Sequence, residues 1–183
     1  MMKFAIFLNG PVGAGKTTLG RVLAERLAGG FLDGDDFSDP GRPWYCSILQ
    51  TSRAVVRASE AILEHKGVVV IAYPLNCISW VYFRRRLSES GIDSLFVSLR
   101  ASYATIVDER RGRVFSPEER DRIRVMIAEG YGARPFSDLV FDTDKADFAE
   151  TVARLENDVG HMIAVRRDLP EGARLRRMIN PRQ

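Results

Sequence analysis

A chain of 183 residues, 45% hydrophobic and 28% charged, fits one domain with a sizeable core, because soluble domains most often run to roughly 100 to 200 residues. This composition excludes a disordered chain. No run reaches the about 18 apolar residues of a membrane span, and the apolar stretch Phe4 to Leu8 is too short for an export signal and lacks a cleavage site. A cytoplasmic protein without a membrane partner is expected. Cys46, Cys77, His65 and His161 stand at no metal-ligand spacing, so no protein-bound structural metal is expected.

Strand and helix patterns alternate in chain order, which predicts a parallel sheet with helices on both faces. Lys3 to Leu8 is an apolar run of strand length that stops at Asn9-Gly10, and Thr17 to Leu27 carries Leu19, Val22, Leu23 and Leu27 at helical spacing. A short strand, Phe31 to Asp33, follows. From Ser47 to Lys66, Ile48, Val55, Val56, Ser59, Ile62 and Leu63 share one helical face, and Arg53, Arg57, Glu60 and Glu64 the other. Val68 to Ala72 is wholly apolar, as strands buried on both faces are.

A helix with Ile78, Val81 and Leu87 comes next, then a strand from Leu95 to Leu99. Ser116-Pro117-Glu118-Glu119 reads as an N-cap, a proline at the first helical position and a capping-box glutamate, opening a helix to about Tyr131. Leu139 to Phe141 is the last strand, and Phe148, Val152, Leu155, Val159 and Met162 define a final helix. Residues 1–165 form one domain on this reading, and 166–183 a basic tail, solvated and partly disordered. That tail carries much of the net charge of +3, which with a pI near 9.1 would suit nucleic acid. Asp168 and Glu171 interrupt it without interleaved aromatics, so nucleic acid is not the expected partner.

Gly10-Pro11-Val12-Gly13-Ala14-Gly15-Lys16-Thr17 matches G-x-x-x-x-G-K-[ST] between the first strand and the first helix. Its glycines let main-chain amides turn inward on phosphate oxygens, and the helix presents its positive end to the same anion. The nucleotide-binding set is therefore Gly10, Val12, Gly13, Ala14, Gly15, Lys16, Thr17 and Thr18. Lys16 is the catalytic cation that neutralises charge on the phosphates, and Thr17 a ligand of Mg2+ arriving with ATP. Asp33 and Asp35 emerge two apart from the second strand, at the sheet edge where open α/β sheets bind ligands, unless they only form a turn. No acidic residue follows Val68 to Ile71, which argues against a motor or a switch.

These motifs resemble the small-molecule kinases of the nucleoside-monophosphate-kinase-like group: gluconate kinase, shikimate kinase, adenylylsulfate kinase and chloramphenicol phosphotransferase. Phe31 to Phe37 is similar to the gluconate kinase segment, Glu109 to Pro117 to the arginine-bearing lid, and Val140 to Thr143 to the strand and turn beside the adenine. The resemblance implies a three-layer α/β P-loop fold with a five-stranded parallel sheet of order 2-3-1-4-5 and a lid at about 110–117. It implies a kinase that moves the γ-phosphoryl of ATP, with Mg2+, to a hydroxyl of a small molecule. It further implies Asp33 near the Mg2+ waters, Asp35 at the acceptor hydroxyl as a catalytic group, Arg110 stacking near the adenine, and Arg113 or Arg111 reaching the transferring phosphoryl.

Three arginines around Gly112 can swing in to stabilise spread negative charge, or form a solvated cluster. Arg53 and Arg57, one turn apart, can hold an anionic acceptor, or pair with Glu60 and Glu64 on the surface. The chain departs from shikimate kinase after its third strand, where Ala72-Tyr73-Pro74-Leu75 replaces a glycine triplet, and shikimate is disfavoured. The segment with Pro40, Gly41, Pro43, Trp44 and Tyr45 follows none of the four families and leaves the acceptor open. A cytidylate-like nucleotide kinase is the alternative enzyme. A nucleotide-sensing or RNA-binding module that has lost catalysis is the alternative of another class. The sequence predicts no oligomeric state.

Overall fold

A computed structural model describes residues 2–38, 41 and 44–170, the side chains of 44–47 excepted. The segment around Pro40 and Pro43 and the tail from 171 onward lie outside the described residues. Strand β1 (Lys3–Asn9) leads through the glycine loop into helix α1 (Lys16–Arg26), then β2 (Gly30–Asp33), a 3-10 turn (Gly34–Phe37), α2 (Trp44–His65) and β3 (Val68–Ala72). Next come α3 (Cys77–Glu89), β4 (Ile92–Arg100), a short α4 (Tyr103–Ile106), a second 3-10 turn (Glu109–Arg111), α5 (Pro117–Ala128), β5 (Leu139–Asp142) and α6 (Phe148–Asp168). The five strands form one sheet in the order β2-β3-β1-β4-β5, with every neighbouring pair parallel, as expected.

Alternation along β1 divides the core in two, since successive strand side chains point to opposite faces. Phe4, Ile6 and Leu8 pack with Leu19 and Leu23 of α1 and with Val152, Leu155 and Val159 of α6. Ala5 and Phe7 pack on the other face with Val55, Val56 and Leu63 of α2 and Phe83 and Leu87 of α3. Burying each large side chain contributes about 1.5 to 3 kcal/mol, so the two layers supply most of the drive that holds helices on both faces. A third, smaller cluster of Ile106, Phe115 and Ile123 sits over the loop after β1 and includes Val12 at its edge.

Helix α5 starts as its sequence predicts. Ser116 Oγ accepts from Glu119 N at 3.2 Å, and Glu119 returns the bond by accepting from Ser116 N at 3.0 Å, with Pro117 in the first turn. Other boundaries shift. Strand β4 begins at Ile92 rather than Leu95, with Asp93 and Ser94 buried in it. Their burial has a cause in α6, which continues to Asp168 and carries Arg166 inward at 3% exposure. Arg166 donates to Asp93 Oδ1 (2.6 Å), Ser94 O (2.8 Å) and Asp138 Oδ1 (2.6 Å). Asp138 Oδ2 in turn accepts from Phe96 N at 2.9 Å. Arg166 is therefore a buried tie between α6 and the β4–β5 edge, which corrects its assignment to a solvated tail. Among the described residues no helix is long and apolar enough to cross a membrane.

Removing one partner of such a network leaves uncompensated buried charge. Arg166→Ala is expected to lower unfolding free energy by about 3 to 5 kcal/mol in denaturant titration. Arg85→Ala, which breaks an exposed pair with Glu89 on α3, should cost at most about 1 kcal/mol.

Candidate active site

The sheet order reverses at β1, whose neighbours are β3 on one side and β4 on the other. A crevice opens at the carboxyl ends of strands at such a point, and the glycine loop lies in it. Gly15, with φ of 93°, opens α1 without any side-chain cap, and the first turn holds no acidic residue. The first amides of α1 are thus free to meet an anion. Gly13, with φ of 79°, lies under the third cluster, where a Cβ would come within 2.6 Å of Ile106 Cγ2 and 2.8 Å of Phe115 Cζ. A side chain at that position would lift the 106–115 segment off the loop.

Lys16 folds back over the loop, its Nζ donating to Gly10 O (3.0 Å) and Pro11 O (2.8 Å). Burial pushes its pKa down from 10.5 to about 8, with Asp35 and Asp33 working against that shift and Arg122 and Arg113 adding to it. Thr17 Oγ1 donates to Asp33 Oδ2 at 2.8 Å, and Asp33 Oδ1 accepts from Asp35 N at 3.2 Å, capping the 3-10 turn that carries Asp35. Burial, then the nearby Asp33, pushes the Asp35 carboxyl up, while Lys16 and Arg122 pull it down. Gly34 permits this turn to press on Tyr73, because a Cβ there would collide with the ring.

These groups line one open cleft of about 1120 Å³. Val12, Gly13, Gly15, Lys16, Thr17, Thr18, Asp33, Asp35 and Arg113 all form its walls. Gly10 and Ala14 belong to the loop but turn away. Gly10 gives its carbonyl to Lys16, and buried Ala14 accepts from Thr143 Oγ1 at 3.5 Å. Arg110 is not brought to the cleft, since Asp108 two residues earlier holds its guanidinium at 2.6 Å and the side chain is 90% exposed. Nor are Arg53 and Arg57. Helix α2 buries Thr51, Ser52, Val55, Val56 and Ser59, so these arginines project from its exposed side, and Ile48 and Thr51 are its contributions to the cleft.

Sequence reasoning missed Arg122 on α5. It stands in Arg120-Asp121-Arg122-Ile123-Arg124, which reads as a solvated face. The fold sorts these arginines. Arg120 donates to Phe115 O and lies near Glu109, Arg124 pairs with Asp121 at 2.6 Å and covers the Tyr103 ring, and Arg113 pairs with Glu119 at 2.8 Å. Arg122 and Arg111 line the cleft with no ion pair among the described residues. Tyr73, Asn76 and Tyr131 also line the cleft. Thr17 and Asp33 are hard oxygen donors of the kind Mg2+ takes beside phosphate oxygens. The free amides of α1 and the enclosed Lys16 fit a polyphosphate, so this chain's residues suit both groups.

No protein-family model matches the chain. A shikimate kinase of Saccharopolyspora erythraea is 44% identical over 68 residues, which are 33% of this chain and 39% of that enzyme. Across the first three curated relatives, all shikimate kinases, the matched segments span 39%, 43% and 48% of their length, less than half of each. A sugar kinase from Janibacter sp. superposes with a TM-score of 0.67 at 15% identity, over 87% of this chain and 95% of that one. A gluconokinase from Sinorhizobium meliloti superposes with a TM-score of 0.59 at 17% identity, over 88% and 98%. At these identities the structural likeness is one of fold. In local sequence and in fold, the chain resembles the P-loop small-molecule kinases of the nucleoside-monophosphate-kinase-like group.

Proposed function

We propose that this chain is a phosphotransferase that moves the γ-phosphoryl of ATP, with Mg2+, to a hydroxyl of a small molecule. The observation that carries this reading is one cleft in which the Lys16 ammonium and the open amide end of α1 face a carboxylate, Asp35, whose pKa is raised. The likeness to kinases named for shikimate, sugar and gluconate supports it. Mg2+, when bound, neutralises phosphate charge.

The loop amides and Lys16 hold the phosphates, and Thr17 and Asp33 would hold the metal through their oxygens. Asp35 orients the acceptor hydroxyl and takes its proton as the new O–P bond forms. The bond to the β,γ-bridging oxygen breaks in the same in-line step and ADP leaves. The raised pKa makes Asp35 a stronger base than an ordinary aspartate. Arg111, Arg113 and Arg122 supply the guanidinium charge that meets the transferring phosphoryl, a role that Arg113 takes up by releasing Glu119. Because Arg122 has no ion pair among the described residues, an acceptor that itself carries phosphate is the second reading, a nucleoside monophosphate being the test case.

Turnover of radiolabelled ATP with D-gluconate, shikimate, D-glucose, chloramphenicol and CMP tests the class of acceptor, and a wild type that takes up no Mg·ATP in calorimetry would overturn the assignment. Lys16→Ala should abolish transfer with an unchanged circular dichroism spectrum, and retained activity would remove Lys16 from the site. In Asp35→Asn, kcat should fall about 100-fold or more, while Mg·ATP affinity stays within about threefold. Lys16 also sets a pH dependence. Its pKa is about 8 in the free chain, and bound polyphosphate favours the charged form and raises it. Affinity for Mg·ATP should thus be flat well below pH 8 and fall as pH rises through it, by about tenfold per pH unit at most. Calorimetry in buffers of different ionisation enthalpy should show proton uptake that grows as pH rises toward 8 and beyond.

A further inference from the structure

Asn9 ends β1 directly before the glycine loop, and its side chain is wholly buried. Its Nδ2 donates to Ser98 Oγ at 3.0 Å and to the Tyr131 carbonyl at 2.9 Å, and its Oδ1 accepts from Leu75 N at 2.8 Å. These partners lie 89, 122 and 66 residues away in the chain. Ser98 carries the network on to Ser137, oxygen to oxygen at 2.6 Å. Only a carboxamide of this size offers two donors and an acceptor together; aspartate lacks the donors and leucine lacks all three.

The backbone ladder stops just short of this point. Tyr73 N still donates to Leu8 O at 3.2 Å, but the Gly10 carbonyl faces Lys16 Nζ at 3.0 Å. The Asn9 side chain therefore supplies the acceptor for Leu75 that the main chain has turned away. Its two backbone partners belong to the two segments that wall the cleft beyond the loop. One carries Tyr73, Pro74 and Asn76, and the other Glu129 and Tyr131. A group buried only for stability would be as useful anywhere in the sheet, whereas Asn9 grips both walls from beneath the phosphate loop.

We propose that Asn9 is a positioning residue for the phosphoryl acceptor: it sets the gap between the 73–76 loop and the 129–132 turn, and so the width of the acceptor half of the cleft. The proposal rests on the kinase reading of that cleft. Asn9 acts through Leu75 and Tyr131 and takes no part in holding nucleotide.

The test compares the wild type with Asn9→Ala, which deletes all three bonds, and Asn9→Asp, which keeps the acceptor for Leu75 and loses both donors. Mg·ATP affinity is measured by calorimetry, local opening by amide hydrogen exchange, and transfer with whichever of D-gluconate, shikimate or D-glucose the wild type phosphorylates. Asn9→Ala should speed exchange at 73–76 and 129–134 while β1, β3 and β4 stay protected. Asn9→Asp should keep Leu75 protected and loosen only 129–134. In both variants KM for the acceptor should rise about tenfold, with kcat and Mg·ATP affinity changed less than threefold. If Asn9→Ala does not fold, Asn9→Asp carries the test alone. Faster exchange spread across the whole sheet, or an unchanged acceptor KM in a variant that still binds Mg·ATP, overturns the role of Asn9 and leaves the kinase reading standing. A wild type that takes up no Mg·ATP, or transfers to none of the three probes, counts against the reading of these acceptors as substrates, and the role of Asn9 falls with it.

Discussion

The open amide end of α1, closed over by one lysine, is the feature around which the rest of the molecule is arranged. A helix start with no side-chain cap and no acidic residue in its first turn carries unmet donors and a net positive field. Here Lys16 adds a full charge that is partly stripped of water and held by two loop carbonyls. Such an arrangement is costly unless an anion completes it. The surrounding elements make sense as devices that keep the loop in this shape. Ile106 and Phe115 press on Gly13, and Thr17 is tied to Asp33 at the end of β2.

Charge is distributed around this loop unevenly. Arg110, Arg113, Arg120 and Arg124 each have a carboxylate within 4.0 Å, which suits exposed guanidinium groups that do structural or latching work. Arg111 and Arg122, on the cleft wall, have none among the described residues. An unpaired cation costs little while water solvates it and gains much when a closing site excludes water. Lys16 and Asp35 are both pushed by burial toward their neutral forms. A carboxyl group pushed up by burial and set beside a cation is suited to chemistry in which a hydroxyl loses a proton to a positioned base.

Two buried polar networks hold the scaffold behind the site, and they differ in what they hold. Arg166 with Asp93 and Asp138 binds α6 to the β4–β5 edge, away from the cleft, and its worth lies in matching charge to charge inside the fold. Asn9 with Leu75, Ser98 and Tyr131 joins segments that reach the cleft itself. Asn9 uses both amide donors and its carbonyl oxygen, and Arg166 makes three bonds to the β4–β5 edge; buried polar groups partnered in this way specify a single arrangement rather than weaken it.

The alternating elements, the glycine loop with its lysine, the carboxylates at the end of β2 and the capped start of α5 are all legible in the order of the amino acids. Each of these is written in local spacing, where backbone geometry and helix or strand period leave few alternatives. The burial of Arg166, the turning of Arg110 to Asp108, the exposed placing of Arg53 and Arg57, and the choice of Arg122 from among five consecutive residues of α5 were decided only by the tertiary structure. Periodicity says which residues share a face of their own helix. It does not say what that face meets, because the partner is supplied from far along the chain, 73 residues away for Arg166 and Asp93 and 122 for Asn9 and Tyr131.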